Sequence, residues 1–399
     1  MAAAAVAVTT CGGLLAGCVR NQPDGSADSG TPSSAGTSSQ AQASTPPADG
    51  GVRKITIDQK CGTPGDIDGG AASLNITNWN ATVAEVYVAP DGQPGAEDAK
   101  NPPVVAELDQ IGYASDRTMD LLLGNGTYHL ICSPDDHAIL RGPSFRVTNS
   151  KYQTPSGTKT VGYAELDPIA VSYSKLAANR IPALKAAAEQ LRTSVASGNR
   201  SAAQRDWKAA YEAWQRLTGV HQAIENADEI AGIAGERSAA SAKKLSGLHR
   251  IEWGLWHGED LTALEPVAGE LVTQVGDIPE FTIDTVDLGV RSHEITEDSQ
   301  RLVLTGLEDY GAHDYAGAVA AQAEAAAELI GQLGPVLDPG EYVQSCERLR
   351  ETALRVKAND GADYKDWPRA ERQALNASVD RQLEDVAHIS SQLELRRSH

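Results

Sequence analysis

The spacing of apolar residues changes once along this chain, at about residue 165, and that change limits the fold more than any other feature. Before it, short runs alternate with period two. Val52-Arg53-Lys54-Ile55-Thr56-Ile57 and Ala84-Glu85-Val86-Tyr87-Val88 each place apolar side chains on one face. Leu121-Leu122-Leu123 leads to the turn signal Gly124-Asn125-Gly126 and then to Thr127-Tyr128-His129-Leu130-Ile131-Cys132, and Ser144-Phe145-Arg146-Val147-Thr148 closes the segment. Short strands separated by turn residues predict a β-sandwich over 51–150. Beyond 165 the period is helical. Segments 173–197, 200–225, 247–257, 261–275, 283–304, 315–333, 341–358 and 367–395 read as helices, punctuated by Gly198-Asn199 and Pro339-Gly340. They predict an antiparallel helical bundle, or two bundles in tandem. A length of 399 residues suits two or three domains, and 5% aromatic residues beside abundant Ala suits close-packed helices.

The first 17 residues are small and apolar, too short to span a bilayer, and read as a signal-peptide core, with residues 1–18 as the whole signal. Leu15-Ala16-Gly17-Cys18 resembles a bacterial lipobox. That resemblance implies a lipidated Cys18 and a protein held by acyl chains at the extracytoplasmic face of a membrane, periplasmic or cell-surface. Residues 19–50 are rich in Ser, Thr, Ala, Gly, Gln and Pro, cannot bury a core, and read as a disordered tether. Cys11 leaves with the signal, and Cys346, in a helical pattern, reads as a buried free thiol. With 34 Lys plus Arg against 54 Asp plus Glu, the formal charge is −20. Such a field repels phosphate backbones, so nucleic acid is excluded as a partner, and it favours cations.

The segment Ser246-Gly247-Leu248-His249-Arg250-Ile251-Glu252-Trp253-Gly254-Leu255-Trp256-His257-Gly258 carries the most chemistry. His249 and Glu252 share one helix face, and an imidazole and a carboxylate one turn apart can hold a transition-metal ion. Trp253 and Trp256, at helical spacing, read as core. The segment resembles the H-x-x-E signature of the imelysin-like family, which includes EfeO and EfeM. Tyr163-Ala164-Glu165-Leu166, Ala209-Ala210-Tyr211-Glu212-Ala213-Trp214, Arg291-Ser292-His293-Glu294-Ile295-Thr296-Glu297-Asp298, Leu304-Thr305-Gly306 and Asp309-Tyr310-Gly311 add to the resemblance. It implies a multidomain α+β chain. An N-terminal cupredoxin-like β-sandwich would be followed, after a linker at 151–164, by an all-α imelysin-like domain over 165–399, built of tandem four-helix bundles. It also implies a lipoprotein that binds iron, ferrous or ferric, or another divalent cation such as zinc. Its partners would be an EfeU-like permease and an EfeB-like haem peroxidase.

By that resemblance His249 and Glu252 are metal ligands and Glu297 is an acid near the same ion. Other members carry E-x-x-E on the second helix, where this chain reads Gln215-Arg216-Leu217-Thr218, and Ala231-Gly232 stands near a further expected acid. Losing anionic ligands weakens a hard cation site. His221, Asp228 and His293 are the substitutes within reach of the pattern, and convergence of the six side chains is the expectation to test.

In the sandwich, Cys61 and Cys132 either form a disulfide or, with Glu85, hold a metal such as copper. A blue-copper centre needs two His, a Cys and an axial Met. His137 follows Cys132, but neither Met1 nor Met119 stands just beyond it and no His precedes His129 in the domain. For hydrolytic chemistry, H-E-x-x-H, H-x-x-E-H and G-x-S-x-G are absent, as is a phosphate loop. A metallopeptidase using His249 and Glu252 and a metal-free surface scaffold remain the alternatives to a cation carrier.

Overall fold

A computed structural model describes residues 52–91, 103–135, 137–155, 157–159, 161–232 and 244–396. The signal segment with Cys11 and Cys18, and the tether at 19–50, lie outside these residues. Alternating side chains produce strands where the pattern asks for them. They are β1 (Arg53–Ile57), β2 (Ile67–Asp68), β3 (Ala71–Asn78), β4 (Ala84–Pro90), β5 (Ala106–Ile111), β6 (Ser115–Leu122), β7 (Gly126–Pro134), β8 (Leu140–Arg141) and β9 (Phe145–Thr148). One sheet runs β1-β3-β6 and the other β2-β9-β7-β4-β5, with β8 added to β7. β1 lies parallel to β3 and β2 parallel to β9. The Gly124-Asn125-Gly126 turn therefore does not close a hairpin. It carries the chain from β6 in one sheet to β7 in the other. Ile55, Ile57, Leu74, Ile76, Val86, Val88, Leu130 and Phe145 fill the space between the sheets.

The helices are α1 (Tyr163–Ala178), α2 (Ile181–Ala196), α3 (Arg200–Gln215), α4 (Ala227–Ala231), α5 (Gly247–Trp256), α6 (Glu265–Gly276), α7 (Asp287–Asp298), α8 (Tyr315–Gln332), α9 (Gly340–Val356) and α10 (Arg369–Gln392). The continuous helix expected over 173–197 breaks at Asn179-Arg180. α1 ends there, and Pro182 sits in the first turn of α2, where its missing N–H costs nothing. Packing of α2 against α3 and α6, and of α5 against α3 and α6, makes one four-helix bundle, while α7, α8, α9 and α10 make a second. The expected fold class, a β-sandwich followed by tandem helical bundles, is the one observed. Ala-rich α8 is almost wholly buried and touches α3 of the first bundle as well as its own neighbours, so its small side chains bring the two bundles into one core. Trp207 of α3, fully buried, donates from its indole N–H to the Leu248 carbonyl (2.8 Å) and fixes α5 against α3. No helix among the described residues is long and apolar enough to cross a membrane.

The chain's last described residues return to the sandwich. Leu395 bridges Val161, and Arg396, almost fully buried, makes a two-pronged ion pair with Glu107 of β5 (2.6 and 2.8 Å).

Candidate metal centre

α5 starts at Gly247, with φ +50°, where a Cβ would stand 2.1 Å from the Ile230 carbonyl oxygen. Only glycine fits so close to α4, and this contact sets the angle at which α5 enters the bundle. One turn along, His249 and Glu252 point inward, their side chains 4% and 1% exposed. His249 Nδ1 faces Glu252 Oε2 at 3.3 Å. The other carboxylate oxygen, Oε1, accepts hydrogen bonds from the backbone N–H groups of Tyr310 (2.8 Å) and Ala312 (2.9 Å). Between them Gly311 takes φ +131°, and a Cβ there would meet Trp256 at 2.7 Å. Glu252 thus clamps the loop before α8 onto α5. Burial pushes its carboxyl above the ordinary range, against the lowering effect of His249.

The loop held by Glu252 brings further carboxylates. Asp309 is consumed by the loop itself: it accepts from the Gly311 and His313 N–H groups and pairs with His313 Nδ1 (2.6 Å) and the Tyr315 hydroxyl (2.7 Å). Burial would raise Asp309, but these hydrogen bonds outweigh it and hold its carboxyl low. Glu308 is half-buried, and no described residue gives its carboxyl a hydrogen bond. Burial raises it, and the nearby His249 ring is the main lowering influence. Asp314 is the sharper case. Its side chain is 1% exposed and neither carboxyl oxygen has a hydrogen bond among the described residues, with Lys208 Nζ at 3.6 Å from Oδ1. Asp314 occupies the N-cap position of α8, yet Asp360 takes over the capping, accepting from Ala316 N–H (2.9 Å) and Gly317 N–H (3.0 Å). Burial, then the Asp360 charge, push the Asp314 carboxyl up to about 8.

Glu252, Glu308, Asp309 and Asp314 line one cavity of about 10 Å³, closed by Trp207, Tyr211 and Tyr315. The Tyr211 hydroxyl is raised well above its ordinary range by burial first and then by the neighbouring Glu308, Glu252 and Asp314. Sealing several carboxylates from water is unfavourable unless protons or cations accompany them.

The six-residue convergence expected from sequence does not form. Of the six, His249 and Glu252 come together in the interior, and His293 and Glu297 pair separately at the surface. His221 stacks on Trp214 (4.0 Å, 11°) and bonds the Trp214 carbonyl through Nε2 (3.0 Å); burial drops it to about 3, a neutral structural imidazole. Asp228 is exposed on α4. His293 and Glu297 face each other at 3.7 Å on the outer side of α7, 34% and 45% exposed. The missing carboxylate at Gln215 has a physical reason. Gln215 is buried, and its side-chain oxygen accepts from Gln322 (2.9 Å), which in turn accepts from the Ser299 hydroxyl, so a neutral amide completes a link between bundles. Thr218 gives its carbonyl to buried Arg291 (2.6 Å). Among the described residues, no three His, Cys, Asp or Glu side chains stand close enough to hold a metal ion as they are. Sequence reading missed Glu308 and Asp314. Asp314 stands out only in the structure, where Asp360 caps α8 in its place.

In the sandwich, Cys61 and Cys132 form a buried disulfide across a separation of 71 residues. Neither sulfur is then a thiolate, so of the two arrangements open from sequence the bridge is present and the copper set with Glu85 is not. Glu85 accepts a hydrogen bond from Tyr87 instead. Met119 lies in the core of β6.

A family model described as Peptidase_M75: Imelysin matches residues 169–280. The Imelysin match contains His249 and Glu252 and stops short of Glu297, Glu308 and Asp314. Among solved structures, the chain is similar to the Na-dithionite reduced auracyanin of the photosynthetic bacterium Roseiflexus castenholzii. Identity is 15%, coverage 24% of this chain and 96% of that chain, and the TM-score 0.19. No curated protein matches.

Proposed function

We propose that this chain is a lipid-anchored, extracytoplasmic carrier of a divalent cation, ferrous iron first and zinc second, serving an uptake system with an EfeU-like permease and an EfeB-like haem peroxidase. One observation supports the cation most: Asp314 holds two buried carboxyl oxygens without a hydrogen bond among the described residues, in a cavity it shares with Glu308 and Glu252. The donor chemistry fits. One imidazole nitrogen with carboxylate oxygens suits ferrous iron, manganese or zinc. His249 Nε2, Glu308 and Asp314 would hold the ion. Glu252 has a different role from the one its spacing suggests. Its oxygens are committed to His249 Nδ1 and to two backbone N–H groups, so it orients the ring and fixes which nitrogen is offered.

Glu308 and Asp314 line one cavity, and among the described residues no three donors stand close enough to hold an ion as they are, so loading draws the donors together. Incomplete preorganisation weakens the grip, which suits cargo that must be released. A cavity of about 10 Å³ has room for an ion and none for a peptide, which favours a carrier over a peptidase. Calorimetric titration with ferrous iron under anaerobic conditions, and with zinc, tests this. The expected result is one ion per chain, with His249→Ala and Glu308→Gln each weakening binding at least about tenfold. Unchanged affinity in both variants would refute the site.

A further inference from the structure

On the outer side of the same wall lies a groove of about 500 Å³. Its charged lining is Lys365, Arg369 and Arg372 against the single carboxylate Asp363. That is a positive surface on a chain whose formal charge is −20. The cations are differently committed. Lys365 pairs with Asp363 (2.8 Å). Arg372 gives Nη1 to the Lys365 carbonyl (2.6 Å), which fixes its guanidinium at the groove wall. Arg369 is exposed and makes no hydrogen bond or ion pair with any described residue.

Helix stability does not account for this charge. Arg369 is the first residue of α10 and Arg372 lies in its first turn. Cations there oppose the helix dipole, which favours anions at that end. The two arginines are three residues apart on α10, so they share a face and can present two forks to one ligand. Beside them the groove offers neutral hydrogen-bonding groups from Thr305, Tyr364 and Gln373. Tyr315 lines this groove and also the inner carboxylate cavity, so a single phenol ring is common to the two walls.

We propose that this groove docks a small multi-carboxylate anion, the class of molecule that carries iron as a chelate, next to the cation cavity. Arg369 and Arg372 bind its carboxylates by charge-assisted, forked hydrogen bonds. The anion site stands on the groove alone; its use for delivering a metal rests on the reading of the cavity above.

Metal-free citrate, titrated into the full chain by calorimetry at low ionic strength, tests the anion site without involving the cavity. Wild type should bind it, and Arg369→Gln should weaken binding about tenfold, as loss of a forked carboxylate contact requires. The pair Arg369→Gln and Arg372→Gln should abolish it. Arg369 holds no structural contact, so its variant should keep the wild-type melting curve and the wild-type affinity for ferrous iron alone. No citrate binding by wild type, or equal binding by Arg369→Gln, would overturn the proposal. Inorganic phosphate binding as tightly as citrate would overturn the assignment to multi-carboxylates. Failure of the cavity reading appears separately, as absent iron binding in wild type with citrate binding intact.

Discussion

The sandwich and the helical domain each offer sulfur, nitrogen or carboxylate donors that sequence allows as metal ligands, and the two regions use them in opposite ways. In the sandwich the three candidate ligands Cys61, Cys132 and Glu85 are spent, while buried His129 Nε2 has no hydrogen-bond partner among the described residues. Cys61 and Cys132 bond each other, and Glu85 accepts from Tyr87. In the helical domain the donors stand apart: His249 engages Glu252 through Nδ1, and among the described residues no hydrogen bond reaches the carboxyl groups of Glu308 or Asp314, although Lys208 lies 3.6 Å from Asp314 Oδ1. A donor's residue type therefore says little until its partners are known. What sets the candidate site apart is that carboxyl groups without hydrogen-bond partners among the described residues share one cavity, because satisfied groups have nothing more to gain from a ligand.

The largest effect expected from breaking this contrast is on the sandwich. Replacing Cys61 and Cys132 together by Ala should cost about 4 kcal/mol in denaturant unfolding, from the loop the bridge closes. Metal stoichiometry should not change; a loss of bound metal would move the site into the sandwich. Next comes Glu252→Ala. It orphans two buried backbone N–H groups and frees the His249 ring, so we expect a loss of about 3 kcal/mol with weakened cation binding. Stability loss with binding intact would show that Glu252 only clamps the loop.

The third test uses pH. The Asp314 carboxyl stands at about 8 in the folded chain, from burial and then Asp360, against an ordinary value of about 4 when unfolded. Between those values the folded state holds a proton that the unfolded chain has released. The stabilisation is thus complete in acid and is lost as pH rises from about 4 through about 8. Asp314→Asn cannot ionise, so its melting temperature should fall less than wild type's across that window. Cation affinity of the wild type should rise over the same window, because the proton and the ion compete for one carboxylate. A wild-type chain whose stability is flat from pH 5 to 8 would remove Asp314 from the argument.

The two-domain order was legible because apolar period is local: Ile55 and Ile57 mark a strand from their own neighbours, as Leu248, Ile251 and Leu255 mark a helix. His249 and Glu252 were legible for the same reason, since three residues on a helix fix a common face. Glu308 and Asp314 were not. They reach the cavity because Tyr310 and Ala312 bond a carboxylate nearly sixty residues earlier, a contact no local pattern encodes. The sheet change at Gly124-Asn125-Gly126 was hidden likewise, because a turn signal gives a reversal of the chain without naming the strand's partner.

His293 and Glu297 provide the smallest and most specific test, because their spacing promises what His249 and Glu252 deliver. Both pairs lie one turn apart on a helix, and both place an imidazole against a carboxylate. The second pair, however, is solvated, so its charges already have water and its attraction is screened. Replacing either residue by Ala should change stability by no more than about 0.5 kcal/mol, the scale of an exposed helical ion pair. Ferrous iron affinity should stay at the wild-type value. A tenfold loss of affinity in Glu297→Ala would mean that α7 turns this face inward when the ion binds, and the burial that separates the two pairs would then change on loading.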